Sequence, residues 1–134
     1  MFSNTKNLKK FINEKRFKRI FVITGKKSYL LSGAKKVFSK LLKDKEVSFY
    51  FKTSAFPEIG ELKRIIISLK KFSPDLIIAI GGGSVLDYAK IANAVSLDSN
   101  LNKQIINNNP SLKKISTLLA IPTTAGSGAE VTSN

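Results

Sequence analysis

An α/β fold, a parallel sheet with helices on both faces, is the architecture the sequence predicts, and three observations predict it. Short apolar runs alternate with segments of helical periodicity in the order β-α-β-α-β-α-loop-β. Two of the runs, Ile20–Ile23 and Leu76–Ile80, are apolar at every position rather than at every second one, the mark of strands buried on both faces. Three Gly/Thr-rich segments, Thr24-Gly25, Gly81–Ser84 and Thr123–Gly128, each follow one of these runs. They fall at the carboxyl ends of the strands, where open α/β sheets bind their ligands.

Taken in order, residues 3–18 are rich in Lys and Asn with scattered Leu8, Phe11, Ile12 and Phe17, and read as a leading segment of no firm type. Ile20-Phe21-Val22-Ile23-Thr24 is a β-branched and aromatic run, a first strand stopped by Gly25. Leu30, Leu31, Ala34, Val37, Phe38, Leu41 and Leu42 recur on one stripe, which predicts one amphipathic helix with Lys35, Lys36, Lys40 and Lys43 on its opposite face. Val47–Phe51 is a second strand, and Thr53–Pro57 the loop after it. A helix from about Glu58 to Phe72 buries Leu62, Ile65, Ile66 and Leu69, and Ser73-Pro74 closes it because proline disfavours a helical residue before it. Leu76–Ile80, the third strand, runs into Gly81-Gly82-Gly83-Ser84, and a helix with Val85, Ala89, Ala92 and Val95 on one face follows. Residues 97–112 form a polar loop. Ile115–Ile121 is a fourth strand, followed by Pro122-Thr123-Thr124-Ala125-Gly126-Ser127-Gly128.

Composition bounds the chemistry. At 134 residues the chain builds one core, residues 1–134 forming a single domain, and 43% hydrophobic content with a mean hydropathy of -0.02 excludes a disordered polymer. There is no Cys and no His, which removes disulfides, thiol chemistry, the Ser-His-Asp triad and any His-ligated metal. Lys and Arg outnumber Asp and Glu by 23 to 9, a formal charge of +14. Only Arg16, Arg19 and Arg64 are arginines, whereas bidentate phosphate and base recognition favour Arg, so the lysines read as a solvated surface rather than a nucleic-acid face. No run approaches the ~18 apolar residues of a membrane span. The N-terminus has no apolar signal region, so the expected location is cytoplasmic.

Two segments have the composition of a ligand site. Gly81-Gly82-Gly83 between a buried strand and a helix leaves no Cβ to obstruct an anion approaching backbone N–H groups, and the helix start adds unpaired donors and a positive dipole end. The competing reading is a capping box, Ser84-x-x-Asp87. Thr123, Thr124, Ser127 and Thr132 supply hydroxyls, with two glycines, at the tip of the fourth strand. Here the competing reading is a second capping box, Ser127-x-x-Glu130, opening a further helix. Gly25-Lys26-Lys27-Ser28 echoes the end of a phosphate-binding P-loop, but that motif's first glycine would fall at Ile20 inside the strand.

Ala79-Ile80-Gly81-Gly82-Gly83-Ser84-Val85-Leu86-Asp87-Tyr88-Ala89-Lys90 resembles the GGGSxxDxAK box of the iron-containing (group III) alcohol dehydrogenases. Ile121-Pro122-Thr123-Thr124-Ala125-Gly126-Ser127-Gly128-Ala129-Glu130-Val131-Thr132 resembles that family's PTTAGTGSEVT box, with Ser127 for Thr and Ala129 for Ser. The resemblance implies a Rossmann-like N-terminal dinucleotide-binding domain, a fragment ending before the family's all-helical metal-binding domain. It implies an NAD(P)-dependent alcohol dehydrogenase or aldehyde reductase that moves hydride between an alcohol carbon and nicotinamide, with Fe2+ or Zn2+ held by one Asp and three His beyond the second box. Carried onto this sequence, Gly82, Gly83 and Ser84 would contact the cofactor diphosphate, Asp87 would support their loop, and Thr123, Thr124, Ser127 and Thr132 would line the nicotinamide half. Neither catalytic nor metal-ligating residues are expected in this chain.

The sequence departs from the family at two places. Phe56-Pro57 replaces an Asn-Pro near the adenine, and Gly25 stands where NAD-preferring relatives carry an Asp that repels a 2′-phosphate. With Lys26 and Lys27 following, Gly25 implies a preference for NADP. The implied partners are a small-molecule alcohol or aldehyde and a second copy in a homodimer, with neither nucleic acid nor membrane. Two rival readings stay open: a non-catalytic nucleotide-binding module without a metal domain, and, more weakly, a basic nucleic-acid binder.

Overall fold

The computed structural model describes residues 5–54, 56–95, 116–123 and 132–133. Its elements run α1 (Thr5–Glu14), β1 (Arg19–Gly25), α2 (Lys26–Leu31), α3 (Ala34–Leu41), β2 (Glu46–Lys52), α4 (Ile59–Phe72), β3 (Leu76–Gly81), α5 (Gly83–Ala94), β4 (Thr117–Pro122) and β5 (Thr132–Ser133). The strands form one sheet in the order β2-β1-β3-β4-β5. β2, β1, β3 and β4 are mutually parallel, and the two-residue β5 runs antiparallel to β4.

The doubly apolar runs are buried as expected. Ile20 to Ile23 and Leu76 to Ile80 are fully buried, and their pleat divides them between two cores. Ile20, Val22, Leu76, Ile78 and Ile80 face a cluster with Leu8, Ile12, Tyr29, Ala34, Phe38 and Leu42 from α1, α2 and the α3 region. Phe21, Ile23, Ile77 and Ala79 face the opposite one, with Leu62, Ile65, Ile66 and Leu69 of α4 and Val85, Tyr88, Ala89 and Ala92 of α5. The chain thus leaves β1 over one face to reach β2 and returns over the other to β3, on β1's far side. That reversal makes the β1/β3 crevice the topological switch point, the place where such sheets take ligands.

Three expectations change. The leading segment is a helix, α1. Its Leu8 and Ile12, one turn apart, are each 1% exposed, and Phe11 packs its ring 5.6 Å from Phe17. The single helix expected across residues 30–42 is two, broken at Ser32-Gly33, where Gly33 takes φ 83, a left-handed conformation that favours glycine. The break resets the helical phase. Leu30 and Leu31 turn outward at 58% and 84% exposure, and Tyr29 is buried instead, edge-on to the stacked Phe49 and Phe51 of β2. Finally, β5 adds a strand at residues 132–133 that the sequence pattern did not indicate. The polar loop expected over residues 97–112 lies outside the described residues.

At the amino ends of the strands, Arg19 stacks 4.2 Å from the Phe72 ring centre, donates to the Phe72 carbonyl and pairs with Glu46. Asp75 accepts the Lys18 and Arg19 N–H groups at 2.8 and 3.1 Å. Asn93 bonds both backbone groups of Ser116, tying the end of α5 to the approach to β4. These contacts set the strands in register, and the opposite, carboxyl end is left to bind.

Candidate functional site

The carboxyl ends of β1, β3 and β4 meet side by side. Thr24 is opposite Ile80, and Gly81 opposite Pro122. Thr24 is fully buried and its Oγ1 donates to the Ile80 carbonyl at 2.7 Å, a cross-strand tie at the switch point. The Thr123 N–H donates to the Gly81 carbonyl at 3.1 Å, which fastens the end of β4 to the glycine turn. Thr123 itself is half-buried beside it.

The three glycines of the turn have different duties. Gly81 has φ +155, and a Cβ there would come within 2.9 Å of Val85 Cγ2, so only glycine fits without displacement of the helix. Gly82 is the N-cap of α5 in ordinary extended backbone, φ -81 and ψ -172, and Gly83 is its first helical residue. Among the described residues beyond its own helical turn, a Cβ on either would meet no atom within 4 Å. The positive-φ backbone of the turn therefore sits at Gly81, not at Gly82 or Gly83. What the other two supply is open space above a helix start.

That helix start has no side-chain cap among the described residues. The first intrahelical bond runs from Leu86 N–H to the Gly82 carbonyl at 3.2 Å, so the N–H groups of Gly83, Ser84 and Val85 precede any intrahelical acceptor. The Ser84-x-x-Asp87 capping box is not formed, because the helix begins at Gly83 and places Ser84 inside its first turn. Asp87, one turn further, is exposed. Uncapped donors, the positive dipole end and an absence of Cβ atoms make a site that receives an anion with a bulky diphosphate shape.

Gly25 ends β1 and caps α2 with φ -103 and ψ 148, within reach of any residue, and its Cβ would make only ordinary contact, 3.9 Å from Ser28 Oγ. Lys26 and Lys27 beside it are exposed. Thr124 and Ser127, and the second capping box with them, lie outside the described residues. Thr132 is in β5 opposite Ala120, two strand positions or about 7 Å below Pro122, rather than at the tip of the sheet.

One feature near the site was missed in the sequence. Glu61, on α4, is 0% exposed, and its carboxylate accepts from the Thr53 N–H and Oγ1 (both 2.9 Å), the Ser54 N–H (3.0 Å), the Ser54 hydroxyl and the Tyr50 hydroxyl (3.1 Å). Burial pushes its pKa up, but the hydrogen bonds from Ser54 and Thr53 prevail and hold it down at about 2. The Tyr88 hydroxyl of α5 accepts the Glu58 N–H at 2.5 Å and lies 3.3 Å from Ser54 Oγ. The loop after β2 is thereby clamped to the helix that follows the glycine turn, and Phe56, 78% exposed, projects from it. The available signal was Glu61's place on the buried stripe, one and two turns before Ile65 and Leu69. A carboxylate there requires donors.

No group of three or more Asp or Glu that could hold a metal ion occurs among the described residues, and the chain contains neither His nor Cys.

Comparison with known proteins agrees with this geometry. The family model of the iron-containing alcohol dehydrogenases matches residues 3–134. The chain is 30% identical over 133 residues to aldehyde-alcohol dehydrogenase 2 of Entamoeba histolytica, an alignment covering 88% of this chain and 15% of that protein. It superposes on an iron-containing alcohol dehydrogenase from Thermococcus thioreducens with a TM-score of 0.75 at 23% identity, over 98% of this chain and 36% of that one. A sulfoacetaldehyde reductase from Bifidobacterium kashiwanohense, solved with NAD+, superposes with a TM-score of 0.70 at 23% identity, covering 95% and 34%. The chain spans 15% of the curated relative and about a third of the two solved chains.

Proposed function

Since this chain belongs to the iron-containing alcohol dehydrogenase family, we propose that it is the dinucleotide-binding part of an NAD(P)-dependent oxidoreductase that interconverts a small alcohol and its aldehyde. The observation that carries this reading is the uncapped, Cβ-free start of α5 at the β1/β3 switch point. Gly82, Gly83 and Ser84 hold the cofactor diphosphate through backbone N–H groups. Thr123, with Thr124 and Ser127, serves the nicotinamide half, and the exposed Phe56 offers a ring to the adenine in place of an Asn.

Bound there, the cofactor would supply the hydride chemistry of its nicotinamide. This chain's part is to bind and orient it. The family's metal does not fit the residues present: the described residues gather no ligand set and His is absent throughout, so no step through Fe2+ or Zn2+ is assigned to them. No helix among the described residues is long and apolar enough to cross a membrane. A cytoplasmic location and a homodimer are the setting this reading carries with it.

The cofactor choice follows from Gly25. A carboxylate at that position would accept ribose hydroxyls and repel a 2′-phosphate; here it is replaced by hydrogen, with two exposed lysines next in sequence. The reading therefore favours NADP.

Titration of the chain with NADPH, followed by calorimetry, tests the assignment of the site. Saturable binding is expected, and Gly83→Val should weaken it at least tenfold while the circular dichroism stays unchanged. A Cβ at that position meets no atom within 4 Å among the described residues beyond its own helical turn, so the change falls on the ligand's side of the loop. Absence of binding by the native chain, or full affinity in a folded Gly83→Val variant, would overturn the proposal.

A further inference from the structure

We propose that the groove between α1 and α3 is a second anion site, built for a compact polyanion of several linked phosphates, of which tripolyphosphate is the simplest. The groove has a volume of about 590 Å³, within the ordinary range of small-molecule sites. Its two walls carry cations at helical spacing. Lys6, Lys9 and Asn13 form one face of α1, and Lys36 and Lys40 form one face of α3, continued by Lys43 in the next turn. Lys45 completes the set, so that six lysines face a single carboxylate, Asp44. The half-buried Val37 and Leu41 make the floor.

These charges are not used internally. The ion pairs among the described residues, Lys10–Glu14 and Arg19–Glu46, engage none of the groove's lysines. Lys36 and Lys40 stand at i and i+4, a spacing at which like charges destabilise a helix, and the two lysine rows converge on one hollow. An anion seated there relieves both repulsions. Its class follows from what the lining lacks. Among the described residues it has no arginine for bidentate base or phosphate recognition and no aromatic ring on which a base could stack. Ammonium groups on flexible stems fit a short phosphate chain. The groove is also separate from the nucleotide site. Its Lys43 and Lys45 lead into Glu46, the first residue of β2, so it opens towards the amino ends of the strands, roughly 20 Å of strand away from the glycine turn.

The test is calorimetric titration of the full chain with sodium tripolyphosphate at constant ionic strength, with thermal unfolding by circular dichroism alongside. Binding should be saturable and raise the unfolding temperature more than sodium chloride of equal ionic strength does. The exposed double variant Lys36→Gln/Lys40→Gln should weaken it at least tenfold, while Lys63→Gln/Lys71→Gln, equal in charge on the opposite face, should change it less than twofold. Gly83→Val, which closes the α5 start to the same probe, should leave this lysine-dependent binding intact, which separates the two sites. Equal losses in both double variants, an effect matched by chloride, or loss in Gly83→Val would overturn the proposal. Tighter binding of a thymidine oligonucleotide with the same lysine dependence would replace the small polyanion by nucleic acid.

Discussion

Replacing Glu61 with Gln is a change of one atom whose consequence can be worked from the contacts. In the folded chain the carboxylate is fully buried and accepts from Thr53, Ser54 and Tyr50; burial raises its pKa, but the bonds from Ser54 and Thr53 lower it from 4.5 to about 2. A folded pKa below the unfolded one means that the stabilisation is fully present above about pH 4.5 and is lost as pH falls towards 2. A displacement of that size corresponds to about 3 kcal/mol. Glutamine keeps the shape but turns one acceptor into an NH2 that faces the donors on Thr53 or Ser54. Leaving such buried groups opposed costs about 2–4 kcal/mol for the set. With a urea dependence of about 1–3 kcal/mol per molar, the midpoint at pH 7 should fall by about 1–2 M. The sequence has no Trp, so unfolding is best followed by circular dichroism. The difference between native and Glu61→Gln chains should shrink progressively as pH falls from about 5 towards 2, because Glu61 of the unfolded chain binds a proton there that the folded carboxylate, with its lower pKa, resists. Equal midpoints at pH 7, or a difference that does not vary with pH, would refute the reasoning.

Three further outcomes follow from the site. Gly81→Ala should destabilise the fold by about 2–4 kcal/mol in urea titration, since it combines a glycine-type φ with a 2.9 Å approach to Val85, and a native-like midpoint would remove the strain argument. Gly25→Asp should keep the native circular dichroism and move the ratio of NADPH to NADH dissociation constants about tenfold or more in favour of NADH; an unchanged ratio would show that the ribose is read elsewhere. Supplied with ferrous or zinc ion, NADP and a panel of primary alcohols, the chain by itself should give no absorbance change at the nicotinamide band, and metal-dependent turnover above the blank would contradict the ligand inventory.

The Glu61–Tyr88 clamp connects these perturbations. Ser54 contacts both Glu61 and Tyr88, and Glu58 bonds Tyr88, so the loop carrying Phe56 is held by α4 and α5 together. Loosening the clamp disturbs the adenine side of the proposed site before it disturbs the glycine turn, which is anchored separately through Thr24 and Thr123.

By itself the sequence determined the sheet and the position of its ligand end. A run such as Leu76–Ile80 is apolar on both faces of the pleat, and only a covered parallel strand can bury both. Glycines directly after that run mark the end at which backbone must be approachable. The resemblance of two boxes to one dehydrogenase family needed no coordinates either. Tertiary structure decided matters in which a residue's neighbours lie far off in sequence. The same Gly-Gly-Gly string contains one residue that cannot bear a Cβ and two that merely leave room, a distinction made by Val85 one helical turn away. The stripe at residues 30–42 looked continuous because periodicity does not register a left-handed glycine in its middle, and the edge-on packing of Tyr29 on Phe49 and Phe51 then chose which side of α2 is buried. α1 shows too few apolar positions to stand as a helix alone and is stabilised by the core it covers. Glu61 is the sharpest case: a charge on an apolar stripe reads as a flaw until the folded loop brings the Thr53 and Ser54 donors to it, and burial energy becomes tolerable only through contacts that the fold assembles.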